Sequence, residues 1–370
     1  MIVSRKQIKS DLTFFIGIVI FLLIIGLIFI YSASSVFALE KIGTAHYYLK
    51  KQFFGLAMGL FVAIIIQFIP VIFIKKSSPY FLIISLVLTA LTLTHLGLNI
   101  HGSTRWLSLP FISFQPSELL KISLILYFAY FLTKKEKNNV SLMNSYIPLL
   151  IILAITSITL LKQPDFGLMI TLLVTVFLLL FITNNYIQYI KITLFILIPL
   201  SIILIFAKSY RLKRILTFLN PWNDAQGAGF QIIQSLIAIG SGGFFGVGIG
   251  QSKQKFFYLP MQHTDFIFSI IAEETGFLGS SIIIFLFLLF LYFGLRIAWQ
   301  LTDRFASYAT LGFTLLISLQ ALINICVATG LAPTKGIGLP FISYGNTALI
   351  CQLIMIGCIA SFVTENKAKD

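Results

Sequence analysis

The sequence predicts an all-α polytopic membrane protein, on three observations. Of 370 residues, 58% are hydrophobic and 10% charged, against roughly 45–50% and about 25% in soluble chains. Mean hydropathy is +0.98. Charge-poor windows long enough to cross hydrocarbon, about 20 residues each, recur ten times. A soluble globular fold is excluded, and the apolar content excludes a disordered chain. Residues 1–370 read as one membrane unit.

The windows follow in order. The first is centred on 13–31 between Asp11 and Glu40, and the second is bracketed by Lys51 and Lys75. The third covers 79–96, and the fourth, 115–133, carries Glu118 and Lys121 within it. Windows at 145–161, 166–183 and 191–207 precede a long segment, 208–264, and windows at 277–295, 306–329 and 344–363 complete the set. Arg5, Lys6 and Lys9 precede the first window. Its apolar core of about 19 residues exceeds the roughly 7–15 of a cleaved signal peptide, so it reads as a signal anchor.

Lysine and arginine counts in alternate loops set orientation. They give 13 on the side of both termini and 12 on the other, with six of those twelve inside 208–264. Setting that segment aside places both termini in the cytoplasm and makes 208–264 a large extracytoplasmic loop before the eighth helix. Cations on the outer side oppose the usual bias and point to an anionic ligand, against the plainer reading of a solvated loop near anionic headgroups.

The net charge of +14 comes without basic–aromatic clusters in a soluble domain, so nucleic acid is not an expected partner. Cys326, Cys351 and Cys358 lie in apolar stretches and read as packing residues. Within 208–264, Gly227, Gly229, Gly240, Gly242, Gly243, Gly246, Gly248 and Gly250 supply backbone N–H groups that could form an anion nest. No phosphate-loop register is present, which excludes the standard nucleotide motifs. Phe230–Ile239 reads as a short interfacial or re-entrant helix.

Asp265 opens the eighth span, where a carboxylate can act chemically or simply cap. Glu273 lies eight residues on, roughly 12 Å deeper on a helix, so a structural role is expected for it and for Glu274. Glu118 and Lys121 share a face and can pair. Asp165 follows a proline at a span entrance and can cap. Arg105 and Lys335 fall on the same outer side.

Several short motifs, in this order, resemble the SEDS family (shape, elongation, division and sporulation). They are Tyr31-Ser32-Ala33-Ser34, Arg105-Trp106-Leu107, Phe114-Gln115-Pro116-Ser117-Glu118-Leu119-Leu120-Lys121 and Gln163-Pro164-Asp165-Phe166-Gly167. Phe218-Leu219-Asn220-Pro221-Trp222, Gly229-Phe230-Gln231-Ile232-Ile233-Gln234-Ser235, His263-Thr264-Asp265-Phe266, Pro333-Thr334-Lys335-Gly336 and Ile342-Ser343-Tyr344-Gly345 continue the series. The run from Phe245 to Lys255 resembles the division branch more than the elongation branch. Two positions depart from the pattern: Met261 stands where Glu is usual, and Asn346 where a second Gly is usual. The second asks a non-Gly residue to take that turn; Asn tolerates a positive φ best, so a small effect is expected.

The resemblance implies a ten-span peptidoglycan glycosyltransferase in the bacterial cytoplasmic membrane. It would polymerise lipid II, a disaccharide-peptide on undecaprenyl pyrophosphate, with inversion. Asp265 matches the family's catalytic aspartate, as base or as ligand of a divalent cation (Mg²⁺ or Mn²⁺). Arg105, Lys121, Arg211, Arg214, Lys253 and Lys255 are candidates to hold pyrophosphate. Glu118, Asp165, Gln231, Ser235, His263 and Lys335 are further candidates for substrate contact. A class B penicillin-binding protein transpeptidase and other divisome proteins are the implied partners. Phe287, Leu288, Phe290 and Leu291 could pack a partner helix, with lipid contact as the default reading. A lipid II flippase, an elongation-branch polymerase and a scaffold are the alternatives.

Overall fold

In a computed structural model the described residues are 5–100, 103–109, 112–135, 146–183, 190, 191, 193, 195, 199, 206, 209–227, 229–255 and 262–366. Six long helices open and close the chain: α1 (Arg5–Ile42), α2 (Tyr47–Ile66) and α3 (Val71–Leu91), then α9 (Ile267–Gln300), α10 (Arg304–Ala328) and α11 (Asn346–Thr364). Each is long and apolar enough to cross a membrane. Between them lie α4 (Pro116–Lys135), α5 (Ile147–Lys162), α6 (Phe166–Ile182), α7 (Ser209–Leu219) and α8 (Phe230–Ser241), with a 3₁₀ turn at Pro221–Asp224. The span expected over 191–207 lies largely outside the described residues.

The architecture is a helical bundle with α10 and α11 at its centre. α10 packs against α4, α6, α8, α9 and α11, and α11 against α2. The α2–α11 seam is close because small residues line it. A Cβ on Gly59 would meet Leu353 at 2.5 Å, and one on Gly357 would meet the Ala63 carbonyl at 2.7 Å. Asn346 lies over Gly55 in this seam. It is the first residue of α11 and is not among the positive-φ positions, so the expectation of a left-handed turn there is corrected. Met261 lies outside the described residues.

Three further features add to the sequence reading. First, a small antiparallel sheet, β1 (Gly97–Ile100), β2 (Ser103–Leu109) and β3 (Ile112–Phe114), bridges α3 and α4. Second, the described part of 208–264 holds α7 beside the expected short helix α8. Third, the eighth helix starts ten residues earlier than its charge-free window, because Glu273 and Glu274 are buried within it. Phe287 and Phe290 also turn inward: they are 6% and 0% exposed, and Phe290 stacks on Phe15. Leu288 stays exposed. A partner helix on α9 would therefore meet Leu288 without those two rings.

Helix α9 is broken at Gly276, whose φ of 66° and ψ of −161° form a backbone state essentially restricted to glycine. The glycine-rich loop after α8 enters the break. Val247 and Gly248 donate their N–H groups to the Glu273 and Glu274 carbonyls, both at 3.0 Å. Phe277 and Leu278 donate to the Gly243 and Phe244 carbonyls at 2.9 and 3.2 Å. Non-helical backbone at membrane depth needs such partners, since hydrocarbon offers none. The loop's backbone thus serves α9, which replaces the anion-nest reading for Gly248.

Candidate active site

The polar residues singled out in the sequence gather around the start of α9. Asp265 does not cap that helix. The N-cap is Phe266, which makes no side-chain cap bond, so a capping role does not explain the carboxylate. Asp265 is half-buried, and burial raises its pKa to about 6, since desolvation disfavours the charged form. Arg105 and Arg214 act on it in the opposite direction, and Asp165 adds to the rise.

Each neighbour is held by its own element. Arg105 lies on β2. Its Nε is 3.5 Å from Asp165 Oδ2, and its guanidinium donates to the Pro164 carbonyl at 2.5 Å. Asp165 caps α6, accepting from the Leu168 N–H at 3.2 Å, so its two oxygens serve the cap and the arginine. Arg214 lies on α7 and donates to the Thr334 carbonyl at 3.4 Å. Lys335 is half-buried in the next turn, and burial lowers its pKa. Gly336 has φ +65°, and a Cβ there would sit 3.5 Å from Asp265 Oδ2. The turn thus passes directly beside the carboxyl, with Lys335 packed over Gly167 of α6.

His263 has a different setting. It is 8% exposed and enclosed by Tyr48, Phe37 and Tyr344, with ring centroids 4.5, 5.8 and 5.8 Å away. Burial lowers its pKa to about 4, so the imidazole is neutral near pH 7 and a weak base.

Other candidates are engaged elsewhere. Lys121 pairs with Glu118 at 2.5 Å, and both are buried; this placement fits an ion pair inside the bundle better than substrate contact. Ser235 is fully buried, bonded to Ser269 Oγ at 2.5 Å and to the Ala328 carbonyl at 2.6 Å, which fastens α8 to α9 and α10. Lys255 is buried, bonded to the Gly250 carbonyl and 3.6 Å from Glu274 Oε1. Glu273 accepts from the Lys253 N–H at 2.9 Å and from Ser252, while Glu274 accepts from Ser32 Oγ at 2.7 Å. Both glutamates anchor the 252–255 loop, as their distance from Asp265 required. Lys253 is exposed and Gln231 partly exposed. Arg211 lies in α7 with its side chain outside the described residues.

The donor set does not make a metal cage. Among the described residues no group of three or more His, Cys, Asp and Glu side chains is placed to hold a metal ion. Asp165 is taken by Arg105 and the α6 cap, leaving the Asp265 carboxyl in the electrostatic field of Arg105 and Arg214. That arrangement suits an anion. A divalent cation there would depend on ligands brought by a phosphorylated substrate.

The fold is shared with known proteins. The signature of the FtsW, RodA and SpoVE group, described as cell cycle protein, matches residues 12–368. The chain belongs to this family. It is 40% identical over 343 residues to a protein of Geobacter sp. (strain M18) named probable peptidoglycan glycosyltransferase FtsW, covering 92% of this chain and 93% of that one. It is 38% identical to stage V sporulation protein E of Bacillus subtilis (strain 168), covering 96% and 97%. Among solved structures, a chain of a peptidoglycan synthase complex, described as coordinating polymerization and crosslinking, superposes with a TM-score of 0.80. That match has 28% identity and covers 96% and 98% of the two chains. The rod shape determining protein RodA of Thermus thermophilus gives 0.71 at 25% identity, covering 95% and 96%.

Proposed function

We propose that this chain is a peptidoglycan glycosyltransferase of the division branch, polymerising lipid II into glycan strands at the outer face of the cytoplasmic membrane. The observation that carries the reading is the Asp265 carboxyl, its pKa raised to about 6, set among Arg105, Arg214 and the Lys335 turn. Such a group is ionised near pH 7 yet basic enough to accept a proton. In the step we assign to it, the acceptor sugar's 4-hydroxyl attacks the donor's anomeric carbon as Asp265 takes the hydroxyl proton. The bond from that carbon to the pyrophosphate breaks, and the leaving pyrophosphate's charge is met by Arg105, Arg214 and Lys335. Inversion at the anomeric carbon follows from this single displacement.

Purified protein incubated with lipid II in detergent tests the reading. Glycan strands support it. Translocation of lipid II in liposomes without polymer would replace it with a flippase, and neither activity would leave a scaffold. We further propose that a class B penicillin-binding protein, together with other divisome proteins, is the partner. The peptidoglycan synthase complex among the structural relatives supports this. Co-purification in mild detergent tests it; repeated recovery of this chain alone counts against it.

A further inference from the structure

Asn324 lies near the end of α10, 1% exposed, and was not among the residues that the sequence singled out. Its Nδ2 donates to two main-chain carbonyls at once, Asp265 at 2.8 Å and Ile337 at 2.7 Å. Both partners are acceptors, so the NH₂ end of the amide must face them. One carbonyl belongs to the residue bearing the carboxyl, the other to the residue after Gly336. The two strands that Asn324 joins therefore carry opposite walls of the site. Asp265 is on one, and the Lys335–Gly336 turn, passing 3.5 Å from Asp265 Oδ2 when a Cβ is built at Gly336, is on the other. Ser343 braces the same junction from farther along. Its hydroxyl donates to the Thr264 carbonyl at 2.6 Å and accepts from the Leu339 N–H at 2.7 Å.

We propose that Asn324 is a positioning residue that sets the separation between the Asp265 carboxyl and the Lys335–Gly336 turn. The proposal rests on the glycosyltransferase reading for its catalytic consequence and on geometry alone for the clamp. α10 packs against α4, α6, α8, α9 and α11, so a side chain rooted in it gives both chain segments one shared reference. Without the amide, two part-buried carbonyls lose their donor and the turn is free to move off the carboxyl. A displacement of about 1 Å at reacting groups is enough to cost on the order of 10²-fold in rate.

The test uses the full-length chain with Asn324→Asp, which keeps the shape but presents acceptors to acceptors, and Asn324→Ser, which leaves room for water and is the safer variant for folding. Two readouts are needed. Steady-state polymerisation of lipid II should show kcat lowered about 10–100-fold with KM within about twofold of wild type. Amide hydrogen exchange should quicken in 333–338 and 262–266 and stay unchanged in the rest of α9 and α10. This second readout does not require activity. Local loosening in a chain whose wild type makes no glycan would retain the clamp and overturn the polymerase reading. Wild-type kcat and exchange in both variants would overturn the proposal. Faster exchange spread over α9–α11 with a matching fall in melting temperature would also overturn it, in favour of ordinary core packing.

Discussion

If Asp265 is the proton acceptor, polymerisation must fall on its acid side at a pH that this carboxyl sets. Burial holds its pKa at about 6, so at pH 5 about one molecule in eleven carries the ionised form. The rate should drop about 10-fold between pH 7 and pH 5. His263 sets a different limb: with a pKa of about 4, it is still about nine-tenths neutral at pH 5 and would leave the rate almost unchanged. The sign of the charge effects can be checked too. Arg214 lowers the Asp265 pKa, so Arg214→Gln should move the limb to higher pH. The assay is initial polymerisation rate from pH 4.5 to 8 at saturating lipid II, with the protein's integrity confirmed by size exclusion at each end. A limb near pH 4, or a limb unmoved by Arg214→Gln, would refute the reasoning. The same shift acts on stability: a carboxyl whose folded pKa is raised favours the folded state at low pH, and that contribution is lost as pH rises through about 6.

Three further outcomes follow from the packing and the charge pattern. Gly276→Ala places a Cβ 2.3 Å from the Gly246 nitrogen in a backbone state only glycine adopts readily; thermal unfolding in detergent should show a loss of about 2–4 kcal/mol, and an unchanged melting temperature would contradict the inserted-loop description. Glu274→Gln removes the carboxylate facing buried Lys255 and should cost about 3 kcal/mol, read in the same way, whereas neutrality would mean that Lys255 finds its partner elsewhere. Lys253→Cys on a cysteine-free background should react with an impermeant thiol reagent in intact spheroplasts, and labelling only after permeabilisation would reverse the proposed orientation.

The fold class was legible because hydropathy depends on residue type alone, and window after window meets a helix. What escaped depends on distant partners. The 97–114 sheet is made of strands of three to seven residues, too short for alternation to show beside a membrane span. Asp265 read as opening the α9 span, yet the charge-free window began later because Glu273 and Glu274 interrupt it; the docked 252–255 loop and Ser32 give those carboxylates their partners. In the site, Asp265 and Asp165 were readable as costly carboxylates at the entrances of apolar helices, and Arg105, Arg214 and Lys335 as cations on the same outer side. Spacing already offered Lys121 a partner in Glu118, but nothing in the sequence distinguished the site residues from Ser235 or Lys255. That distinction lies with Ala328 and Glu274, partners that are distant along the chain or sit across the fold. Asn324 went unnoticed for the same reason: an amide inside an apolar helix announces no role until the carbonyls it joins are seen.

The central claim is that the Asp265 carboxylate carries the reaction, and replacing it by asparagine tests that most directly. Since Asp265 does not cap α9, the amide should leave the fold intact. Purified Asp265→Asn and His263→Asn variants, matched for expression and monodispersity, are compared with wild type in lipid II polymerisation. Loss of about 10²–10⁴-fold for Asp265→Asn, with His263→Asn far less affected, is the predicted result. Asp265→Asn polymerising at close to the wild-type rate would contradict the account.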